Sequence, residues 1–288
     1  MPTPEITIIG VGRLGNSLAR ALSAADVPVK SIFNRTADQA HNLAADLNVN
    51  ISGNFPSDDF ELGDLIFITV SDSAIEPVAR RLAEVTDDFS TKTIVHCSGN
   101  ASASLLEVLK SKGGSIASFH PLQTFTGYPA PSDFEDIYFS LQGNRSAFPK
   151  LEQIAEKLEA NTLEVTEDQK SHLHAAAVLA SNYLNTLLDA AVKTASVSDL
   201  TPEETKKALM PLVKTTLKNV EEQSFEEALS GPINRGDIQT VKQHLDLLEG
   251  QSELLAIYRI LGQRTVHMAR KSQSIDQDTA QKISKMLE

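Results

Sequence analysis

Ile6-Thr7-Ile8-Ile9-Gly10-Val11-Gly12-Arg13-Leu14-Gly15 is the stretch that decides the fold of this chain. Its β-branched apolar start predicts a strand, and the glycines that follow have the spacing G-x-G-x-x-G. The residues after Gly15, through Leu22, have the pattern of an amphipathic helix. Strand, glycine turn and helix in this order are the context in which that spacing predicts a dinucleotide site. A plain structural turn is the alternative.

Each of the three glycines has a physical role in such a turn. Gly10 permits the tight bend, Gly12 lets the backbone approach a pyrophosphate, and Gly15 lets helix and strand pack closely. The free amides and the dipole at the start of the helix then attract phosphates. We therefore predict that the whole turn binds the cofactor, namely Gly10, Val11, Gly12, Arg13, Leu14 and Gly15.

The end of the second predicted strand, Val29–Phe33, indicates which dinucleotide binds. NAD sites place Asp or Glu about 20 residues past the glycines, where the carboxylate binds the ribose 2′-hydroxyl. Here Asn34, Arg35 and Thr36 stand there, and an amide beside a guanidinium and a hydroxyl suits a 2′-phosphate better. We therefore expect NADP (NADPH). The alternative is that Asn34 and Thr36 only cap the next helix.

Composition limits the classes of protein and partner. A chain of 288 residues with 41% hydrophobic residues has the size of two globular domains. Its net charge of −12, with no run of Lys or Arg, argues against nucleic acid and anionic membranes as partners. Cys97 is the only cysteine, so we expect a reducing, cytoplasmic location. The histidines and Cys97 lack zinc-like spacing, so we expect no metal.

Predicted strands and helices alternate up to residue 166, which indicates an α/β class. The strands are continuous apolar runs, as in parallel sheets that are buried on both faces. Beyond that point only helical patterns follow, with Asp168–Thr194 as one long helix and Phe225–Ser230 as a short one. We predict an α/β Rossmann-type parallel-sheet domain over 1–166 and an all-α domain over 167–288. A ligand-binding cleft is expected between them.

Ligands bind at the carboxyl ends of parallel strands, so polar residues there are candidates for chemistry. Val70-Ser71, His96-Cys97-Ser98 and His120-Pro121 stand at such ends. A hydride given to a carbonyl must be accompanied by a proton, which histidine usually supplies. We expect His120 to be the donor, with Ser98 bonded to it or to the substrate, and Val70, Ser71 and Ser98 beside the cofactor. The alternative for His120 is a structural histidine bonded to a loop carbonyl, and His96 fits packing inside its strand better.

The predicted helix from Asp168 has a polar face. At 100° per residue, His174, Ser181 and Asn185 share one face, and Asn182 lies on its flank. On a helix otherwise rich in Ala, Leu and Val, such a stripe suits substrate binding in a polar cleft. A satisfied buried network or a subunit contact is the alternative.

The loop Gly231-Pro232-Ile233-Asn234-Arg235-Gly236-Asp237 is a third candidate. Arg235 is suited to clamp a substrate carboxylate bidentately, or else to tie down its own loop. Asp237 is a good N-cap for the helix that follows.

Several motifs in combination resemble a family of predicted oxidoreductases that joins an N-terminal Rossmann-like domain to a C-terminal helical domain of unknown function. They are GVGRLG, DLIFITVSD, VHCSG at 95–99, SFHPLQTF at 118–125, HAAAVLASN at 174–182 and GPINRGD at 231–237. The family belongs with the 6-phosphogluconate dehydrogenase-like superfamily. The resemblance implies NADP-dependent reduction of a small oxo compound, with ketopantoate the substrate of some members, and a homodimer through the helical domain.

Two relatives imply roles for single residues. HPLQ resembles the His-Pro segment of prephenate dehydrogenases, whose catalytic histidine and serine match His120 and Ser98. Ketopantoate reductases and β-hydroxyacid dehydrogenases use a lysine four residues before an asparagine. If Asn182 is that asparagine, Val178 stands where the lysine should be, which leaves His120, or His174, as the catalytic proton donor.

These observations lead to one main hypothesis, an NADPH-dependent reductase of a small 2-oxo acid. Asn182 and Arg235 would orient the substrate, with Ser181 and Asn185 beside them. The alternative is an NADP(H)-binding sensor or regulatory protein without turnover, and a scaffold that only dimerises is a third interpretation.

Overall fold

The computed structural model describes residues 2–125, 127, 129–195 and 200–288, which form two compact units. The first unit ends at Ser181 and the second begins at Asn182. This boundary lies beyond the predicted one at 166. The reason is that helix Glu167–Ala180 packs on the sheet, so it belongs to the first unit.

An eight-stranded sheet organises the first unit. Its strands are β1 Ile6–Ile9, β2 Val29–Phe33, β3 Ile51–Gly53, β4 Leu65–Ile68, β5 Thr93–His96, β6 Ser115–Pro121, β7 Tyr138–Gly143 and β8 Asn161–Glu164. They lie in the order β3-β2-β1-β4-β5-β6-β7-β8, and all neighbours are parallel except β6 and β7. The predicted α/β Rossmann-type class is confirmed.

Helices cover both faces of this sheet. They are α1 Arg13–Ala24, α2 Ala37–Asp46, α3 Asp72–Leu82, α4 Glu107–Lys110, α5 Phe148–Lys157 and α6 Glu167–Ala180. Short 3₁₀ turns occur at Asp59–Glu61, Ala103–Leu106, Pro131–Phe134 and Arg145–Ala147. One apolar cluster includes Leu18 of α1 with Phe67, and the other includes Ile66 with Ile75 of α3. Phe67 and Ile66 are adjacent in β4, so the strand is buried on both faces, which explains its continuous apolar sequence.

The strand order reverses between β1 and β4, because β2 lies outside β1 and β5 lies outside β4. Ligands of open α/β sheets bind in the crevice at such a switch point, at the carboxyl ends of the strands. The glycine turn follows β1, and Val70-Ser71 follows β4, so the sheet brings both segments to this crevice.

The second unit is helical, as predicted, with α7 Asn182–Ala195, α8 Pro202–Glu222, α9 Ile238–Leu247, α10 Ser252–Lys271 and α11 Gln277–Met286. Its buried apolar cluster includes Val241, Val266 and Ile283. Across the described ranges, no helix is both long and apolar enough to cross a membrane.

Two helix predictions are wrong. Asp168–Thr194 is not one helix, because α6 ends at Ala180 and Ser181 departs from helical geometry, with φ −118° and ψ −70°. Serine and asparagine side chains compete for backbone hydrogen bonds, which favours a break at Ser181-Asn182. The shared face predicted for His174, Ser181 and Asn185 required an unbroken helix, so that geometry is lost. Phe225–Ser230 forms turns and bends instead of a helix.

Candidate cofactor site and active site

The three glycines of the first turn have the geometry that a dinucleotide turn requires. Gly10 has φ +112°, a conformation that other residues rarely adopt. A Cβ on Gly15 would overlap the Gly10 carbonyl oxygen and lie 2.6 Å from Thr69 Oγ1. A Cβ on Gly12 would meet nothing within 4 Å. Gly10 and Gly15 are therefore needed for the fold, whereas Gly12 faces open space into which a ligand fits.

The backbone amides of the turn are only partly committed within the protein. The Val11 amide donates to Asn34 Oδ1 at 2.9 Å, so it is not free for a phosphate. Gly12 is the N-cap of α1 and makes no side-chain cap bond. Within the described part of the chain, the amides of Arg13 and Leu14 have no hydrogen-bond partner. The helix therefore presents open donors and the positive end of its dipole.

A cleft of about 610 Å³ begins at this turn. It is lined by Ile9, Gly10, Val11, Gly12, Asn34, Arg35, Thr36, Gln39, Asn54, Phe55, Thr69, Val70, Ser71, Ala74, Pro77, Val78 and Arg81. The structure thus brings together most of the residues predicted for the cofactor. Its lining has two arginines and no carboxylate, although the chain as a whole has a net charge of −12. The local charge therefore suits an anionic ligand.

Asn34, Arg35 and Thr36 have different roles in the cleft. The Asn34 amide nitrogen donates to Gln39 Oε1 at 2.8 Å and to the Thr36 carbonyl at 3.2 Å, so this side chain joins the glycine turn to α2. Thr36 occupies the N-cap position of α2, but its side chain makes no cap bond. Neither side chain accepts a backbone amide of α2, so the capping alternative is wrong for both residues. Arg35 is exposed at the wall of the cleft.

His120, near the end of β6, is held by one nitrogen. Its Nδ1 lies 3.0 Å from the Cys97 carbonyl oxygen. Because a carbonyl only accepts, Nδ1 carries the proton and Nε2 is left as an acceptor. Burial lowers the pKa of His120 to about 4, against the opposing effect of the Cys97 hydrogen bond. His120 is therefore neutral at pH 7, and the loop-carbonyl bond of the alternative interpretation is present.

His96 and Cys97 are structural groups. His96 is fully buried, donates from Nε2 to the Ser102 carbonyl at 3.1 Å, and accepts the Ser98 amide on Nδ1 at 3.2 Å. Burial lowers the pKa of His96 to about 4. Burial likewise raises the pKa of the Cys97 thiol to about 12, so that thiol stays protonated and unreactive.

Ser98 differs from the expectation that it bonds His120. Its hydroxyl oxygen accepts the amides of Ala101, at 3.0 Å, and Asn100, at 3.3 Å. The reason is local, since the chain turns directly after β5 and the serine side chain satisfies the amides of that turn. The Ser98 carbonyl faces the other way and accepts Lys170 Nζ at 2.5 Å.

Lys170 is the functional candidate that the sequence analysis missed. It is only 1% exposed and, within the described part of the chain, has no carboxylate within ion-pair distance. Burial lowers the pKa of Lys170 to about 8. The sequence contains a pattern that could have pointed to Lys170. It lies four residues before His174, and residues with this spacing share one face of a helix. The capping box of Thr166 and Gln169 fixes where that helix starts.

Gly99 lies between His120 and His174. These two histidines, with His96 and Lys170, are called the Lys170 cluster below. A Cβ there would overlap His174 Nδ1 and lie 2.8 Å from His120 Nε2. The two rings are 5.9 Å apart and meet edge to face at 76°. His174 Nδ1 is buried and has no partner among the described residues. Two ring nitrogens thus border the space over Gly99, and Lys170 is bonded to the residue before it.

Asp72 links this cluster to the cofactor cleft. It follows Ser71 of the cleft wall and opens α3. Its charge favours the protonated forms of His96, His120 and Lys170, although burial outweighs it at all three. The glycine-turn cleft and the cluster are therefore neighbouring parts of one edge of the sheet.

The remaining predicted site residues are at the end of α6, on α7 and in the loop before α9. Ser181 ends α6, whereas Asn182 and Asn185 are exposed residues of α7 in the second unit. Arg235 is exposed in its loop, and its amide donates to the Gly231 carbonyl at 3.2 Å. Asp237 caps α9 by accepting the Thr240 amide at 3.0 Å, as expected. The substrate-binding roles of these residues stay predictions. No group of three or more potential ligands that could hold a metal occurs in the described part.

Two family profiles match the sequence. Residues 5–100 match the family described as "NADP oxidoreductase coenzyme F420-dependent". Residues 137–265 match a domain of unknown function, DUF2520. No curated protein matches the chain.

Solved structures share the fold across both units. Protein BF3122 of Bacteroides fragilis, described as an NADP oxidoreductase, is 23% identical, with a TM-score of 0.72 over 93% of this chain and 98% of its own. A pyrroline-5-carboxylate reductase from Coxiella burnetii is 17% identical, with a TM-score of 0.60 over 98% and 99%. A reductive aminase from Aspergillus terreus, solved with NADPH and ethyl levulinate, is 15% identical, with a TM-score of 0.61 over 99% and 92%.

These likenesses show the fold, while the N-terminal family match agrees with the open helix terminus and the arginine-lined cleft. The residues present fit an anionic dinucleotide at the glycine turn. The chain is an NADP-dependent oxidoreductase in which residues 5–100 are similar to the NADP oxidoreductase family and residues 137–265 are similar to DUF2520 domains.

Proposed function

We propose that the protein reduces a small 2-oxo acid with NADPH, with ketopantoate as the first candidate. The observation that supports this best is Lys170, a buried and unpaired ammonium group at the Ser98-Gly99 turn. Reduction of a carbonyl requires both a hydride and a proton. NADPH, when bound along the glycine turn, supplies the hydride.

Lys170 replaces His120 as the proposed proton donor. With a pKa of about 8, Lys170 is mostly protonated at pH 7, whereas His120, with a pKa of about 4, is neutral. An efficient general acid has a pKa near the working pH. The lysine gives up its proton to the forming alkoxide, and the free Nε2 of His120 orients the hydroxyl that results.

The charge of the cluster favours an oxo acid over an imine. The ammonium of Lys170 attracts a substrate carboxylate and repels a cationic iminium group. A C=N reductase is nevertheless the second candidate, because the reductive aminase and the pyrroline-5-carboxylate reductase have the same fold. Arg235 and Asn182 would add contacts to the substrate, and Ser181 and Asn185 stay in that proposed set.

The experiment is a screen of NADPH oxidation at pH 7. One panel contains 2-oxo acids, including ketopantoate, and the other contains cyclic imines of similar size. Turnover of the oxo acids alone supports the proposal, and turnover of the imines alone replaces it with the second candidate. NADPH binding without NADPH oxidation in the presence of any compound would favour the alternative of a sensor without turnover.

Gly99→Ala tests whether the space over Gly99 is where chemistry occurs. The added methyl group would meet both ring nitrogens, so we expect turnover to fall at least 10-fold while NADPH affinity stays unchanged. Gly53→Ala is the matched control, because a Cβ there meets nothing within 4 Å. Equal turnover of the two variants would place the substrate elsewhere.

We also propose a homodimer through the second unit. Its helices carry large exposed apolar side chains, including Leu187, Leu212 and Ile260, which are 38%, 64% and 71% exposed. Contiguous exposed apolar surface on helices marks sites of protein association. Sedimentation should show a dimer, and Ile260→Asp should weaken it.

A further inference from the structure

The two arginines of the cofactor cleft lie on different elements. Arg35 follows β2, and Arg81 is in the last turn of α3. No carboxylate lines the cleft with them. Two cations without an acid, in a chain with a net charge of −12, are a strong local departure from the average charge. Such a pair suits a group with two negative charges.

Arg81 is held in place without an ion pair. Its guanidinium carbon lies 4.1 Å from the centroid of the Phe55 ring. Phe55 itself packs against the buried cluster that contains Ile75 and Leu82 of α3. Within the described part of the chain, the guanidinium of Arg81 makes no ion pair or hydrogen bond. The neighbouring Arg80, in contrast, is paired with Glu76. Stacking thus keeps the Arg81 fork ordered while its N–H donors remain available.

Arg35 is positioned by the residue next to Phe55. Asn54 Nδ2 donates to the Arg35 carbonyl oxygen at 3.0 Å. Two consecutive residues after β3 therefore position the two arginines. Asn54 binds the backbone of Arg35, and Phe55 stacks on the side chain of Arg81. Both belong to the lining of the same cleft.

We propose that Arg81 is a second phosphate-binding arginine, which clamps the 2′-phosphate of NADP together with Arg35. Asn54 and Phe55 act as positioning residues. The 2′-phosphate is the one group that distinguishes NADP from NAD, so the clamp determines specificity. With NAD, two guanidinium groups would face a neutral hydroxyl and gain no ionic hydrogen bond. The clamp acts on the cofactor alone and does not depend on which substrate is reduced.

The test measures binding to the intact protein by calorimetry, using 2′,5′-ADP and 5′-AMP, which differ only in the 2′-phosphate. Arg81→Gln should weaken 2′,5′-ADP about 10- to 100-fold and change 5′-AMP less than about twofold. Arg80→Gln is the matched control, because it removes the adjacent arginine, which is already paired with Glu76. It should leave both affinities unchanged.

The same contrast should hold for NADPH and NADH. Phe55→Leu keeps an apolar side chain but removes the stacking ring, so it should lower the ratio of 2′,5′-ADP to 5′-AMP affinity about threefold, with intact thermal stability. A merely structural role of Phe55 would weaken both ligands alike. The proposal is overturned if Arg81→Gln weakens the binding of both ligands equally, or of neither. Binding is read without turnover, so a failed substrate screen leaves this test intact.

Discussion

The cofactor cleft and the Lys170 cluster lie at the same edge of one sheet, but they differ in solvent exposure and in the polar groups that they present. The cleft is open and presents backbone amides and two arginines. The cluster is largely buried, and burial lowers the pKa values of His120 and Lys170. Binding of a charged cofactor needs donors that exist before it arrives, whereas proton transfer needs groups whose protonation can change. The difference separates binding from chemistry.

Removal of the Lys170 ammonium should give the largest effect. Lys170→Met should lower turnover about 10²- to 10⁴-fold, the range for loss of a general acid, while NADPH affinity is kept. The Lys170→Met variant should be more stable than the wild type at pH 7. The pKa of Lys170 is lowered from 10.5 to about 8, which means that burial of its charge costs about 3 kcal/mol. Part of that gain is offset, because the bond to the Ser98 carbonyl is lost.

His172→Gln is the control for Lys170→Met, because His172 is an exposed residue of the same helix. It should have wild-type turnover. Steady-state kinetics and thermal unfolding of both variants check the prediction, and a Lys170→Met enzyme of normal rate would remove Lys170 from the chemistry.

The glycines of the first turn should separate folding from cofactor binding. Gly15→Ala forces a methyl group onto the Gly10 carbonyl and should lower the free energy of unfolding by about 3 kcal/mol. Gly12→Ala has room, so it should unfold normally but bind NADPH at least 10-fold more weakly, since the methyl group projects toward the ligand. Urea denaturation and fluorescence titration measure the two effects. Equal losses of stability would contradict the assignment of open space to Gly12.

The dependence of rate on pH should show the lysine directly. Reduction consumes a proton, so kcat/KM should be flat near pH 7 and fall about tenfold per pH unit above pH 8, as Lys170 loses its proton. Lys170→Met should lack this alkaline limb. A rate that rises through pH 8 would show that the neutral amine is the active form.

Acid should destabilise the cluster by a smaller amount. The pKa values of His96 and His120 are about 4 when folded and about 6.5 in the unfolded chain, so between these values the unfolded state binds more protons. Stability therefore falls as the pH drops from 6.5 towards 4. For the fully buried His96, we expect a loss of about 2 kcal/mol between pH 7 and 5. Urea denaturation checks this, and His96→Gln should reduce the slope.

The sequence sufficed for the cleft because its features are local. The spacing of Gly10, Gly12 and Gly15 directly predicts the backbone conformation of the turn. Continuous apolar strands likewise predict a parallel sheet that is buried on both faces. Arg35 follows one of those strands and was therefore placed correctly at the cleft wall. The fold class and the preference for NADP were both predictable on these grounds.

The cluster was predictable only in part. His120 was placed at a strand end correctly, but its pKa and its free nitrogen depend on burial by distant segments. Lys170 on a helix is ordinary until that helix packs on the Ser98 turn, 72 residues away in the chain. The break at Ser181 was missed because helical periodicity continues on both sides of it.

The bond between the Val11 amide and Asn34 has a consequence for any attempt to redesign the enzyme for NADH. Aspartate at 34 would still accept the Val11 amide, but its second oxygen would face the Thr36 carbonyl, which now accepts from the Asn34 amide at 3.2 Å. Two acceptors would then repel each other where a donor and an acceptor now meet. Cofactor exchange therefore demands a rebuilt loop and not a single substitution.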